Sequence, residues 1–203
     1  MHPAFGLLIG YVLGSIPFAY LAGKLVRGID LREHGSGNLG ATNVFRTLGA
    51  KVAGVVFVLD TLKGALPVLL VRHYAIGAHL DLWAIAAGVA AIAGHAKPVF
   101  LLWKGGGKGV ATAGGVFLAL APIPTLASMA TFIVVVLVTG YVSVASLSAA
   151  IVLPVALAVT IGVHSPLFVV SVVIAAFVFW THRANIGRLR RGEEHRFGKK
   201  ASA

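Results

Sequence analysis

The chain has 203 residues, of which 58% are hydrophobic and only 11% are charged, and its mean hydropathy is +0.93. A soluble domain carries about a quarter charged residues, so this composition excludes an ordinary soluble domain and predicts a polytopic membrane protein. The net charge of +11 could indicate nucleic-acid binding, but the basic residues lie in short loops between apolar segments, and we expect no nucleic-acid partner.

Apolar segments cover residues 4–25, 52–71, 82–103 and 109–181 in chain order. The first reads as a span that is kept, because no basic stretch typical of a signal peptide precedes it. The last contains no Lys, Arg, Asp or Glu, and it is interrupted at 122–124, 140–143 and 162–166 by Pro, Gly and Ser at helix-length intervals. These breaks divide it into four helices. We therefore predict an all-α bundle of seven transmembrane helices, forming one domain over 1–203 with a short basic tail at about 183–203.

Lys and Arg concentrate in three places: residues 24–51, residues 97–108 and the tail after 181. With seven spans, all three lie on the same side of the membrane. The positive-inside rule makes that side cytoplasmic, so we expect the N-terminus outside and the C-terminus in the cytoplasm.

The first polar segment, 34–46, carries many small hydrogen-bond donors. Glycines at 35, 37 and 40 let the backbone approach a ligand and turn its amides toward an anion. A guanidinium can hold a phosphate with two hydrogen bonds. The candidate phosphate-binding side chains of this segment are Ser36, Asn38, Thr42, Asn43 and Arg46. The alternative is a flexible polar loop in which Arg46 only fixes the membrane topology.

The second polar segment, 94–112, places Lys104 and Lys108 on either side of Gly105, Gly106 and Gly107. Two cations around a glycine run, just before a predicted helix start, suit a phosphate. The segment is not a Walker loop, because Gly109 rather than Ser or Thr follows Lys108 and no strand precedes it. The alternative is a loop whose lysines only obey the positive-inside rule. His95 is as plausible as a structural residue as it is as a ligand contact.

The third polar segment, 181–193, has His182, Asn185 and Arg188 at intervals of three. On a helix these side chains share a face, and we predict that His182, Asn185 and Arg188 contribute to phosphate binding at the same site. The alternative is a basic segment that binds anionic lipid headgroups, and the more distal Arg190, Arg191, Lys199 and Lys200 fit that interpretation.

Asp60 and Lys63 lie one helical turn apart within the second apolar segment. Ionisable residues inside a membrane are costly and often functional, but this spacing equally suits a structural ion pair. We place neither residue in contact with a ligand.

The chain resembles the bacterial membrane glycerol-3-phosphate acyltransferases that use acyl phosphate as donor, over nearly its whole length. The motifs that carry the resemblance are GSIP at 14–17, SGNLGATNVFR at 36–46, DTLKG at 60–64, GHAKP at 94–98, KGVAT at 108–112 and HRANIGRL at 182–189. Three glycines lie between the lysines here, where the usual form of the family has two. The resemblance therefore leaves open which of Lys104 and Lys108 holds which phosphate.

The resemblance implies a multi-pass enzyme of the bacterial inner membrane with its active site on the cytoplasmic face. It would transfer a fatty acyl group from acyl phosphate to the 1-hydroxyl of glycerol 3-phosphate, giving lysophosphatidate and phosphate. The implied catalytic residues are Ser36, Arg46, His182 and Asn185, with His182 as the best side-chain base unless the substrate's own phosphate serves.

No cofactor is expected. The chain has no cysteine, which excludes a thiolate metal site or a cysteine nucleophile, and no carboxylate cluster suggests a required metal. Two other classes of function remain as alternatives, a transporter of a phosphorylated metabolite and a lipid-binding scaffold. A transporter needs polar residues along a path through the bilayer, whereas the polar segments here gather at one face.

Overall fold

The computed structural model of the protein describes residues 1–196. All regular elements in that part of the chain are helices, and they group into two compact units that meet in sequence between Ala121 and Pro122. Lys199 and Lys200 of the predicted basic tail lie outside the described residues.

The first unit, Met1–Ala121, contains six α-helices. They are α1 (Phe5–Gly14), α2 (Phe18–Arg27), α3 (Ala41–Leu48), α4 (Ala50–Tyr74), α5 (Leu80–Ala96) and α6 (Val110–Leu120), with a 3₁₀ turn at Val99–Leu101. Helix α4 packs against α1, α5 and α6, and α1 packs along α5.

Small residues bring these helices close together. A Cβ atom at Gly10 of α1 would collide with the carbonyl oxygen of Ala87 in α5, and one at Gly64 of α4 would collide with the carbonyl oxygen of Thr112 in α6. Such contacts drive helix association in lipid, where burying apolar surface gains little. The polar loops of this unit are therefore mounted on closely packed helices.

The first predicted span is a broken helix. It runs over Phe5–Arg27, and α1 and α2 are separated at residues 15–17, where Pro17 has no N–H for the helical ladder. The break leaves the Ile16 carbonyl oxygen to accept hydrogen bonds from Phe18 N at 3.1 Å and from Lys63 Nζ at 2.8 Å. A side chain from α4 thus donates a hydrogen bond to a carbonyl oxygen at the break.

The second unit begins at Pro122 and contains α7 (Pro122–Thr139), α8 (Val142–Ile161), α9 (Pro166–Thr181) and α10 (Arg183–Arg190). Helix α8 packs against α7 and α9. The axes of α9 and α10 differ by 56° across a break at His182. Together with α6, the helices α7, α8 and α9 are the four elements that the interruptions in 109–181 predicted.

Five candidate membrane spans lie in the described chain, or six if α9 and α10 count as one bent span. Helix α6 is apolar but has 11 residues, about 16 Å at 1.5 Å per residue, against a hydrocarbon core of about 30 Å. The all-α membrane architecture is confirmed, whereas the count of seven spans and the orientation of the termini stay predictions.

Candidate functional site

Two of the three predicted polar segments meet within the first unit. The backbone N–H of Leu39 donates to the carbonyl oxygen of Gly106 at 3.2 Å. The Arg32 guanidinium donates from Nη1 to the carbonyl oxygen of Lys104 at 3.1 Å. The loop between α2 and α3 and the glycine segment between α5 and α6 therefore form one surface, although the contacting residues are 67 and 72 positions apart in the sequence.

An ion pair fixes the start of the first loop. The Arg32 Nε and Nη2 atoms donate to the two Asp30 carboxylate oxygens, the shorter contact being 2.6 Å from Nη2 to Oδ2. These hydrogen bonds lower the pKa of Asp30 to about 2. Because the same guanidinium also reaches the Lys104 carbonyl oxygen, Arg32 joins the two loops while its charge is neutralised.

Asn43 holds the next part of this loop from the side of α3. Its buried side chain donates from Nδ2 to the carbonyl oxygens of Leu31 at 3.2 Å and His34 at 3.0 Å, and its Oδ1 accepts from the backbone N–H of Ser36 at 2.9 Å. Both amide hydrogens are thus committed to the protein backbone. Asn43 positions the loop and has no donor left for a phosphate, which removes it from the predicted phosphate-binding set.

The other predicted side chains of the loop are accessible. Ser36 and Arg46 are exposed, and Asn38 and Thr42 are partly buried. Thr42 lies in the first turn of α3, and Arg46 lies in its last turn, where it also makes a contact with the protein. Helix α3 therefore presents a hydroxyl near its N-terminus and a guanidinium near its C-terminus, from a loop that Asn43 holds in shape.

The glycine segment is tightly packed against the end of α5. A Cβ atom at Gly106 would collide with the carbonyl oxygen of Ala96, and one at Gly107 would collide with Nε2 of His95. Gly105 and Gly109 have φ angles of +88° and +81°, in the left-handed region that favours glycine. These positions need glycine for the backbone to take this path. Lys104 is exposed and Lys108 is half-buried, at the start of α6.

Just before the glycine segment, Leu102 and Trp103 also have positive φ angles, +50° and +59°. Side-chain hydrogen bonds hold this turn: Trp103 Nε1 donates to the Tyr11 hydroxyl at 2.7 Å, and that hydroxyl donates to the carbonyl oxygen of Lys97 at 2.9 Å. Backbone strain of this kind persists only where the surroundings impose it. The sequence did not indicate this turn, since neither residue is a usual left-handed one.

In the second unit, His182 lies buried at the break between α9 and α10. Its Nδ1 is 2.8 Å from the carbonyl oxygen of Val178. A carbonyl oxygen can only accept, so Nδ1 carries the proton and, in the neutral ring, Nε2 holds the lone pair. The tautomer is therefore the one in which Nε2 can take up a proton.

The predicted face of α10 binds a carboxylate that sequence reasoning did not single out. Glu194 is buried, and it accepts hydrogen bonds from Asn185 Nδ2 at 2.6 Å and from Arg188 Nε at 2.7 Å. Burial by itself would raise the pKa of Glu194, but the donated hydrogen bonds, together with the charge of Arg188, outweigh it and lower the pKa below the usual value. Asn185 and Arg188 do share a face of α10, and that face already holds an anion.

Asp60, Lys63 and His95 line a small cavity in the first unit, together with the backbone at the α1–α2 break, Leu39, Pro98 and Gly106. Lys63 Nζ lies 2.8 Å from Asp60 Oδ1, so the structure shows the ion pair that their spacing predicted. His95 Nδ1 lies 3.7 Å from the same oxygen.

The helices and the two joined loops define an integral membrane protein with a polar surface rich in glycine and basic side chains. Comparison with known proteins places the chain more narrowly. The family model for glycerol-3-phosphate acyltransferase matches residues 4–192, and the chain belongs to that family. The chain is therefore an acyltransferase, and the family membership that its sequence motifs predicted is confirmed.

Individual relatives agree with this assignment. The glycerol-3-phosphate acyltransferase of Synechococcus sp. is 49% identical, over 97% of this chain and 96% of that protein. A crystal structure of PlsY (YgiH), an integral membrane glycerol 3-phosphate acyltransferase in its glycerol 3-phosphate form, has a TM-score of 0.88 and 42% identity, covering 97% of this chain and 96% of that one. The lysophosphatidic acid form of the same protein has a TM-score of 0.83 and 41% identity, covering 97% and 95%.

Proposed function

We propose that this protein transfers a fatty acyl group from acyl phosphate to the 1-hydroxyl of glycerol 3-phosphate in the bacterial inner membrane, giving lysophosphatidate and inorganic phosphate. The observation that carries the proposal is the joined pair of loops in the first unit, where the polar loop before α3 is hydrogen-bonded to the glycine segment and to the backbone of Lys104. The related PlsY is known in a glycerol 3-phosphate form and in a lysophosphatidic acid form, and these compounds are the acceptor and a product of the proposed reaction.

For the acceptor, we propose that Arg46 and Lys104 hold the phosphate of glycerol 3-phosphate, with the Ser36 hydroxyl as a third donor. Lys104 begins the glycine segment that Arg32 and Leu39 join to the loop before α3, and Arg46 lies on α3, which follows that loop. An exposed guanidinium binds phosphate with two parallel hydrogen bonds, and an ammonium adds a compact charge.

For the donor, we propose that the Lys108 ammonium and the amides of Gly105 and Gly106 bind the phosphate of acyl phosphate. The predicted amide of Gly107 is not among them, because its N–H already donates to the carbonyl oxygen of His95 at 3.1 Å. Glycine lets the backbone of this segment pack closely against the end of α5, and the adjacent N-terminus of α6 favours an anion. Asn38, Thr42, Asn185 and Arg188 stay predicted contacts of one or the other substrate.

The chemistry needs little beyond positioning, because phosphate is already a good leaving group. The oxygen of the 1-hydroxyl attacks the acyl carbonyl carbon, a C–O ester bond forms, and the bond from that carbon to the phosphate oxygen breaks with its electron pair on phosphate. Cations and amides around the departing phosphate stabilise its growing charge. We propose that Nε2 of His182, the basic nitrogen of its tautomer, accepts the hydroxyl proton.

We further propose that the N-terminus lies outside and the C-terminus in the cytoplasm, with α6 counted as a short crossing. The natural absence of cysteine makes this testable with single cysteines and a membrane-impermeant thiol reagent. Ala78→Cys, between α4 and α5, and His164→Cys, between α8 and α9, should both be labelled from outside the cell. If α6 does not cross, His164→Cys will be labelled only after the membrane is opened.

The donor is tested directly with purified protein. The protein is incubated with glycerol 3-phosphate and, in separate reactions, acyl phosphate, acyl-CoA or acyl carrier protein carrying the same chain. We expect lysophosphatidate from acyl phosphate alone, and product from a thioester donor would contradict the proposal.

Arg46→Ala tests the acceptor site. The expected result is a loss of roughly a hundredfold in kcat/KM at unchanged membrane insertion, since the variant loses two charge-assisted hydrogen bonds, each worth about 1.5–3 kcal/mol. Arg27→Ala, which removes an equal charge from the exposed end of α2, is the matched control. Equal activity in the two variants would refute the assignment of Arg46.

A further inference from the structure

Two charged side chains are buried in the middle of the apolar helix α4. The side chains of Asp60 and Lys63 are 2% and 4% exposed, and their ion pair spans 2.8 Å. A buried ion pair contributes little net stability, because desolvation offsets the attraction, and apolar residues of similar size often serve as well. Such a pair does hold its neighbours in fixed positions. Here Lys63 contacts the break between α1 and α2, and Asp60 faces His95 of α5.

Lys63 reaches toward the first broken span. Its ammonium donates to the carbonyl oxygen of Ile16 at 2.8 Å, at the break between α1 and α2. It also lies 5.4 Å from the ring centroid of Phe18, the first residue of α2. One cation therefore ties α4 to the turn that precedes α2, and α2 leads into the loop that contains Arg32.

His95 lies on the other side of Asp60, and it is 7% exposed. Its Nδ1 faces the Asp60 carboxylate at 3.7 Å. The opposite edge of the ring packs against Gly107, where a Cβ atom would collide with Nε2. The carbonyl oxygen of His95 also accepts a hydrogen bond from the Gly107 N–H at 3.1 Å. Ring and backbone of a single residue thus set the position of the glycine segment.

We propose that Asp60, Lys63 and His95 act as positioning residues for the glycine segment 105–108. In this network the buried ion pair orients the His95 ring, and the ring holds Gly107 at the distance from α5 at which the amides of the segment can bind a phosphate. The inference rests on the proposed function, since it assigns the network to the donor phosphate. A displacement of about 1 Å at a reacting group can cost roughly a hundredfold in rate, so a ring in contact with the segment is enough to matter.

His95→Gln tests the contact itself, because glutamine keeps a polar side chain but cannot fill the space of the ring. We expect the KM for acyl phosphate to rise roughly tenfold or more, while the KM for glycerol 3-phosphate and the melting temperature change little. Leu62→Ala, at an exposed position of α4 beside Lys63, is the control and should leave both KM values unchanged.

The ion pair is tested by three variants, Lys63→Met, Asp60→Asn and the two combined. Each single change leaves a buried charge or donor without its partner and should lower the melting temperature. The double variant should regain most of the melting temperature, but it should keep the raised KM for acyl phosphate, because His95 has lost the carboxylate that orients it. If the ion pair had only a structural role, the double variant would restore both the melting temperature and the KM for acyl phosphate.

The outcomes separate this inference from the proposed function. If the unaltered protein makes no lysophosphatidate from acyl phosphate, the proposed function is refuted. If the unaltered protein is active, and if His95→Gln and the double variant both show its KM for acyl phosphate, then the positioning network is refuted and the proposed function stands.

Discussion

The buried carboxylate of Glu194 makes a specific prediction about stability. In Glu194→Gln, the carbonyl oxygen of the new amide can still accept from Asn185 Nδ2, but its NH₂ group meets the Arg188 Nε–H, donor against donor. The variant therefore loses one charge-assisted hydrogen bond, worth about 1.5–3 kcal/mol in a protein interior. Arg188 is 32% exposed, so water replaces part of the loss, and we expect the free energy of unfolding to fall by about 2 kcal/mol.

The neighbouring residue supplies a matched control. Glu193 pairs with Arg191 at 2.7 Å, but these side chains are 55% and 59% exposed. Exposed ion pairs contribute about 0–1 kcal/mol. Glu193→Gln should therefore change the free energy of unfolding very little, although it changes the net charge by the same amount as Glu194→Gln.

Thermal unfolding of the purified protein in detergent measures the difference. A loss of about 2 kcal/mol corresponds to roughly 4–8 °C for a chain of this size. Equal melting temperatures for the two variants would refute the interpretation of Glu194 as the anchor of α10.

The pH dependence gives an independent check on the same carboxylate. Its pKa is lowered in the folded protein, so the stability it contributes is complete above the usual value of 4.5 and is lost as the pH falls through the folded pKa. The gap between the unaltered protein and Glu194→Gln should therefore be constant from pH 7 down to about 4.5. It should close below that pH, and a gap that widens on acidification would contradict the assignment.

Two further changes probe the loop between α2 and α3. Asn43→Ala leaves two carbonyl oxygens and one N–H of the loop without their partners. Only the contact with Leu31 is fully buried, so water replaces part of the loss and the unfolding free energy should fall by about 2 kcal/mol, whereas Thr42→Ala should be close to neutral in the same thermal assay. Asp30→Asn should cost about 1 kcal/mol at pH 7, since its guanidinium partner is one-third exposed. That cost should shrink as the pH falls from 3.8 toward 2, through the lowered pKa of Asp30, and a cost independent of pH would count against the ion pair.

Local patterns in the sequence were sufficient to predict the helices of the uncharged stretch. Pro and Gly interruptions divided the uncharged stretch 109–181 into the four helices that the structure contains, because they act on the backbone within one or two residues. The break at residues 15–17 within the first span was not predicted, although Pro17 signals it, since residues 4–25 as a whole have the length and composition of one apolar span. The length of the apolar stretch was a weaker guide to the number of membrane spans. Helix α6 has 11 residues and is shorter than an ordinary span of roughly 20 residues.

The sequence was sufficient to predict which segments form the candidate site, but not which of their side chains are already hydrogen-bonded within the protein. The glycine segment and the loop before α3 were both identified, yet hydrogen bonds decide which donors remain for a ligand. Asn43 looked equivalent to Asn38 in the sequence, and only the folded loop shows that both of its amide hydrogens are used internally. Sequence spacing could not reveal this, because the partners of Asn43 lie seven to twelve residues away in an irregular segment.

Glu194 illustrates a signal that was present but not used. Gly192 follows α10 with a φ angle of +70°, and the Glu193 N–H donates back to the Arg188 carbonyl oxygen at 2.9 Å. A glycine at this position ends a helix in a left-handed turn that sends the chain back along the helix it has left. An acidic residue two positions beyond such a glycine is therefore within reach of donors on the last turns of that helix. In a segment otherwise rich in Arg, that geometry distinguishes a buried structural carboxylate from a surface charge, and it makes α10 a helix held by its own following residues rather than a basic tail.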